Sequence, residues 1–130
     1  MKIVKIDKKA WTEGLEHLQG SYRLIGPGKD DDFYRFRVLE KGEEPEMAML
    51  NTRLSPKSIV YPQSEVMLEY SLDESREDCH VMKETQTDVS PQVVVGIRPC
   101  DAKAFLLVQR NFETPEYKDP YWVRRYEATT

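Results

Sequence analysis

Apolar residues in this chain follow two periods, and elements end where the period changes. Trp11, Leu15 and Leu18 recur at i, i+4 and i+7, the stripe of an amphipathic helix, with Asp7 as its expected N-cap and Gly20 as its stop. Ahead of it, KIVKI (Lys2 to Ile6) alternates weakly and predicts a short strand. Behind it, YRLIG (Tyr22 to Gly26) and FYRFRVL (Phe33 to Leu39) are β-rich runs joined by PGKDDD, whose Pro, Gly and Asp form turns, so a hairpin is expected. The acidic EKGEEPE (Glu40 to Glu46) reads as an exposed loop and MAMLN (Met47 to Asn51) as a short strand.

The next stretch, SPKSIVYPQSEVMLEY, begins with an N-cap and N1 pair, Ser55 and Pro56, and Pro62 limits the helix to little more than one turn. EVMLEY (Glu65 to Tyr70) suits a strand, and LDESREDCHVMKETQTDVSP (Leu72 to Pro91) has no period and predicts a long excursion. VVVGI (Val93 to Ile97) is a β-branched run, the mark of a strand buried on both faces, and Ala102, Phe105, Val108 and Phe112 follow at helical spacing. Asp101 is the natural cap of that helix, which leaves Cys100 one residue outside it. Asp119 and Pro120 open a short helix through YWVRR, and YEATT looks like the first residues of a strand. No polar tail or helical cap closes the chain there, so a fragment or the N-terminal part of a longer protein is expected. Strands outnumber helices without a regular βαβ rhythm. The expectation is one α+β domain over residues 1–130, a mixed sheet covered by the first helix and by the helix after Cys100.

Composition narrows the classes. At 130 residues with 39% hydrophobic content, the chain is large enough for one core. No run approaches the roughly 20 apolar residues of a membrane span, and MKIVKIDKK lacks the apolar segment of a signal peptide. A cytoplasmic protein without membrane insertion is expected. A net charge of −4 argues against a nucleic-acid partner. Cys79 and Cys100 cannot build a disulfide framework, and two thiolates cannot hold an iron–sulfur cluster, which usually takes four. His17 and His80 do not complete a zinc site. GPGKD has neither the spacing nor the setting of a dinucleotide fingerprint, leaving flavin and nicotinamide binding undecided.

Cys100 carries two readings. Unsatisfied amides at a helix start, with Arg98 two residues away, favour a thiolate that could act as nucleophile or ligand. Free cysteine is equally a small buried residue that suits a strand-to-helix corner. A stand-alone cysteine enzyme would have Cys100 attack and His80 serve as base. An interaction domain would use its acidic loops, with Glu43 and Glu44 at the contact.

Three motifs carry a resemblance. Lys57, Pro62, Gln63 and Glu65 form the first, Gly96, Ile97, Arg98, Pro99, Cys100 and Asp101 the second, and Asp119, Tyr121, Trp122, Arg124 and Arg125 the third. In this order they resemble the N-terminal region of a family of iron–sulfur electron-transfer subunits, whose members serve anaerobic sulfite reductase and, as the beta subunit, sulfhydrogenase. The resemblance covers nearly the whole chain, but the family's cysteine-rich segments, which bind two 4Fe-4S clusters, are not in it. It implies a docking or structural domain that carries no cluster alone and packs against a C-terminal cluster domain or other subunits of a redox complex. Arg98, Pro99, Cys100 and Asp101 are the implied cofactor or interface contact, with Cys100 as a thiolate, Arg98 as a positive charge near a reduced centre and Asp101 as the cap. Lys57, Gln63 and Glu65 are the secondary candidates, which could equally stabilise the loop around Pro62. No catalytic residue is implied.

Overall fold

The computed structural model describes residues 5–85 and 89–130. Of the KIVKI run, residues 2–4 lie outside the described residues, and Lys5 and Ile6 have no regular structure. Helix α1, Lys8–Ser21, has Asp7 at its N-cap without a side-chain cap bond. It passes Gly20 and stops at Tyr22, whose N–H donates to Leu18 O. Its apolar stripe does what the spacing predicts: Leu15 is buried with Leu24 and Leu39, and Trp11, Val93 and Val95 pack around them.

Strands β1, Arg23–Asp30, and β2, Phe33–Val38, form the expected hairpin, paired antiparallel from Ile25↔Val38 to Asp30↔Phe33. The connection is shorter than PGKDDD suggested. Only Asp31 and Asp32 turn, Asp31 at φ 45°, while Pro27, Gly28, Lys29 and Asp30 stay in β1. Leu39 N–H donates to Leu24 O, so the even-numbered residues of β1 serve β2 and Pro27 faces the opposite edge, where its missing donor costs nothing. There its carbonyl accepts from Glu46 N–H at 2.8 Å.

Glu40 to Glu46 is a loop, but a clamped one. Thr12 Oγ1 donates to Glu44 at 2.7 Å, Gln19 Nε2 donates to Glu40 O at 2.9 Å, and Arg37 donates to both oxygens of Glu43. The strand expected at Met47 to Asn51 does not form. Glu46 takes the Ala48 N–H on its own carboxylate, so the backbone turns away from the sheet edge, and Leu50 ends 98% exposed.

A single 3₁₀ turn, Pro56–Ile59, follows with Ser55 at its cap, as Ser55, Pro56 and Pro62 dictate. EVMLEY contributes only β3, Leu68–Glu69, which pairs antiparallel with β4, Lys83–Glu84, inside the excursion. Strand β5, Gln92–Val94, lies parallel to β1, from Arg23↔Gln92 to Ile25↔Val94, giving the sheet order β2-β1-β5. The VVVGI run is thus half-buried and shorter than expected. Gly96 at φ +73° ends it, in a conformation that other residues rarely adopt, and a Cβ there would lie 3.0 Å from Met47 Sδ.

Helix α2 covers Pro99–Phe112 and α3 covers Pro120–Glu127, the latter capped by Asp119, whose carboxylate accepts from Trp122 N–H at 2.9 Å. After α3 the chain returns to the sheet. Gln92 N–H donates to Ala128 O, Thr130 N–H to Gln92 O and Val94 N–H to Thr130 O, a short parallel extension beside β5 that YEATT foreshadowed. The fold is α+β, with α1 against β1 of the sheet and α2 against the 3₁₀ turn and α3. No helix among the described residues is long and apolar enough to cross a membrane.

Candidate functional site

The Arg98 turn differs from expectation in one respect that matters. Arg98, not Asp101, is the N-cap of α2, at φ −75° and ψ 149°. Pro99 takes N1, where its missing N–H is no loss, and Cys100 stands inside the first helical turn. Asp101, at the third helical position, is 8% exposed and acts as a buried tie rather than a cap. One of its oxygens accepts from Arg98 Nε at 2.7 Å and the other from Ser55 Oγ at 3.3 Å. Arg98 also donates to Asn51 Oδ1, and Ser55 Oγ accepts from Lys57 N–H. The Asp101 carboxylate, by this hydrogen bond first of all, raises the Arg98 guanidinium above its ordinary value. Asp101 belongs there on electrostatic grounds, since a carboxylate in the first turn is favoured by the helix dipole.

Cys100 is exposed, so the reading of a small buried corner residue is overturned. Arg98 directs its donors to Asp101 and Asn51. The backbone of the Cys79–His80 segment pairs with Ser71: the His80 main-chain N–H donates to Ser71 O at 2.9 Å, and Cys79 bridges Ser71. No hydrogen bond joins Cys100 to His80 among the described residues.

The other two motifs meet each other. Arg125 of α3 grips Glu65 with two parallel bonds, Nη1 to Oε2 at 2.6 Å and Nη2 to Oε1. Both side chains are largely buried, 16% and 19% exposed, and they lie 60 residues apart in sequence. Beside them runs an aromatic ladder: Tyr61 to Phe112 at 5.1 Å, Phe112 to Trp122 at 5.6 Å, and Trp122 to Tyr126 at 5.3 Å between ring centroids. Trp122 is 3% exposed, and its indole N–H has no hydrogen-bond partner among the described residues. Tyr61 and Tyr126 were not singled out in the sequence. The i, i+4 spacing of Trp122 and Tyr126 was the available signal for one, and Tyr61 offered only its position before Pro62. Lys57 and Gln63 are exposed and make no side-chain bond among the described residues, whereas Glu65 is tied into the fold.

Three grooves run together over this region. One of about 280 Å³ lies between Val94, Ile97, Phe105 and Tyr126; one of about 300 Å³ lies against Pro62, Glu65, Trp122 and Arg125; one of about 620 Å³ lies between the 3₁₀ turn and Val108 of α2. Val60 lines the first two, and Tyr61 and Pro62 line the last two. All three are mainly apolar. A separate small polar cleft of about 160 Å³ sits at the β3–β4 hairpin, where Asp78 is paired with Arg76 and Lys83, which hold its carboxyl well below the usual range.

The thiols do not fit a four-iron cluster. Cys79 and Cys100 stand on separate elements, and the described residues contain no cluster of three or more His, Cys, Asp or Glu able to hold a metal. The class these features define is a small α+β module with a grooved, partly apolar face. Compared with known proteins, the chain matches no family model, no curated protein and no solved structure.

Proposed function

We propose that this chain is a docking domain of an iron–sulfur electron-transfer subunit in a cytoplasmic redox complex of the hydrogenase or anaerobic sulfite reductase type. In this reading it is the N-terminal part of the subunit and catalyses nothing itself. The observation that carries the reading is convergence. The three segments that resemble the family are far apart in sequence, yet Ser55 bonds Asp101 and Glu65 bonds Arg125, so all three border one grooved face. Large side chains stand open on that face, including Leu54 at 60%, Tyr61 at 52% and Leu106 at 52% exposure. Apolar groups so exposed are supported in a soluble complex by a neighbour that covers them. The 4Fe-4S clusters belong to the cysteine-rich segments that the resemblance implies, and Cys100, Arg98 and Asp101 form the edge of the face that meets them.

The test is anaerobic isolation of the protein, tagged at its native locus, followed by iron and acid-labile sulfide analysis and electron paramagnetic resonance after dithionite reduction. The expected result is a complex containing reducible four-iron clusters. Recovery of the chain as an iron-free species without redox partners refutes the proposal. The cysteine-enzyme alternative has no hydrogen bond between Cys100 and His80 among the described residues to support it. The acidic-loop alternative is weakened because Glu43 and Glu44 are spent on Arg37 and Thr12.

A further inference from the structure

Strand β5 divides its backbone between two edges. Arg23 N–H donates to Pro91 O and Val95 N–H to Ile25 O, so the odd-numbered residues serve β1. The even-numbered ones serve the segment after α3: Gln92 N–H donates to Ala128 O at 2.8 Å, Thr130 N–H to Gln92 O at 2.9 Å and Val94 N–H to Thr130 O at 2.8 Å. The next rung of this parallel ladder is a donor to Val94 O, and no described residue supplies it. Val94 is half-buried, a setting in which backbone carbonyls are normally paired. Strand β5 ends at Val94 and the backbone turns at Gly96, φ +73°, which limits the open edge to little more than that rung.

Beside the open rung lies the apolar groove of about 280 Å³, whose walls include Val94, Ile97, Phe105, Leu106 and Thr129. Thr129 pairs with Gln92, so in a continuing parallel ladder the first residue after Thr130 pairs with Val94. Its side chain then falls on the face that Thr129 and Val94 share, which is the groove side. Leu106, on the α2 wall, is 52% exposed and gains cover from an apolar group placed there.

We infer that the polypeptide following Thr130 extends this strand by two residues along β5, the first seating an apolar side chain in the groove and the second donating its N–H to Val94 O. The inference rests on the reading of this chain as the N-terminal part of a longer subunit, and it says where the remainder attaches. The ladder selects the occupant. The open rung is parallel to β5 and in register with Thr130, so the incoming backbone begins one peptide unit, about 3.8 Å between Cα atoms, beyond Thr130. The chain's own continuation meets that condition through its covalent bond. The free end of another protein, or of a second copy, has to be brought to the same point against the full cost of association.

The test is hydrogen–deuterium exchange, read on peptic fragments, of the native protein at its full natural length, with its intact mass measured first. The expected mass exceeds that of residues 1–130, and the amides of the two residues after Thr130 are expected to exchange at least about tenfold more slowly than in an unstructured peptide. Leu106→Glu places a charge in the groove at an exposed position. It is expected to restore fast exchange after Thr130 while residues 23–25 and 92–93 stay protected, which shows that the sheet is retained. Proline at the second position after Thr130 removes the donor to Val94 O and is expected to do the same.

The inference is overturned if the native chain ends at Thr130, if the residues after it exchange like an unstructured peptide, or if both variants leave their protection unchanged. Protection of Val94 to Ile97 that appears only on adding another subunit assigns the rung to a partner strand, and protection that grows with protein concentration assigns it to a second copy. Either result replaces the chain's own continuation. Iron is measured separately: slow exchange after Thr130 in an iron-free protein refutes the redox reading alone, and four-iron clusters with fast exchange there refute this inference alone.

Discussion

The Glu65–Arg125 pair gives the sharpest quantitative test of the convergence on which the functional reading depends. The guanidinium and carboxylate meet as two parallel bonds, one at 2.6 Å, with the side chains 16% and 19% exposed. A fully buried pair that loses one partner costs about 3–5 kcal/mol, mostly because the other charge is stranded. This pair keeps some access to water, so about half that, roughly 2 kcal/mol, is expected for Arg125→Met. Glu65→Gln keeps the shape and one acceptor and is expected to cost about 1 kcal/mol. The double variant removes both charges and is expected to be milder than the sum, with a coupling energy of about 1–2 kcal/mol. For a domain of this length the Arg125 change lowers Tm by roughly 8 °C. Urea unfolding followed by tryptophan fluorescence is a suitable assay, since Trp122 is buried beside the pair. A coupling below about 0.3 kcal/mol refutes the reasoning, because the segment after the 3₁₀ turn and α3 would then not be held by this contact.

Three further outcomes are expected. Gly96→Ala should destabilise the fold by about 1–3 kcal/mol in the same urea assay, because φ +73° is unfavourable for alanine and the new methyl meets Met47 Sδ at 3.0 Å. Glu43 is held below its ordinary 4.5 by the Arg37 hydrogen bond first and the Glu40 N–H second. A carboxylate depressed in the folded state adds stability above its unfolded value and loses it as pH falls through the folded one. The Tm gap between the native chain and Glu43→Gln should therefore be widest above about pH 5 and close on further acidification, and a gap constant with pH contradicts this. Cys100→Ser should leave stability within about 0.5 kcal/mol, since the thiol is exposed, and iodoacetamide should label Cys100 in the folded chain.

Local signals proved readable where one residue type has one use. Asp119 with Pro120, Ser55 with Pro56, and the Trp11, Leu15, Leu18 stripe each place an element because a cap or an apolar face leaves little choice. Errors arose where a residue's meaning depends on which sheet edge it faces. Pro27 and Gly28 are turn formers in isolation, yet Pro27 is tolerated in β1 because its absent donor points to an edge where β5 has already ended. MAMLN alternates well enough for a strand, but Glu46 satisfies Ala48 N–H locally and no ladder is left to join. Asp101 illustrates the same limit at the candidate site. Pro99 can itself begin a helix, so the start moves back to Arg98, and the aspartate is freed to reach Ser55, 46 residues away.

Cys100 is placed by that same shift. One residue outside the helix, it would have shared the corner with Arg98; within the first turn, it joins Lys103, Leu107 and Arg110 on the outward side of α2. Arg98 meanwhile is drawn inward by Asp101 and Asn51, where it ties the turn to the 51–57 segment. The two residues that looked like one chemical unit in sequence therefore divide: Arg98 maintains the groove and Cys100 stands on the face that any partner of α2 would touch. On the proposed docking role, the thiol acts where a partner covers this side of α2, and its test is whether assembly protects Cys100 from iodoacetamide.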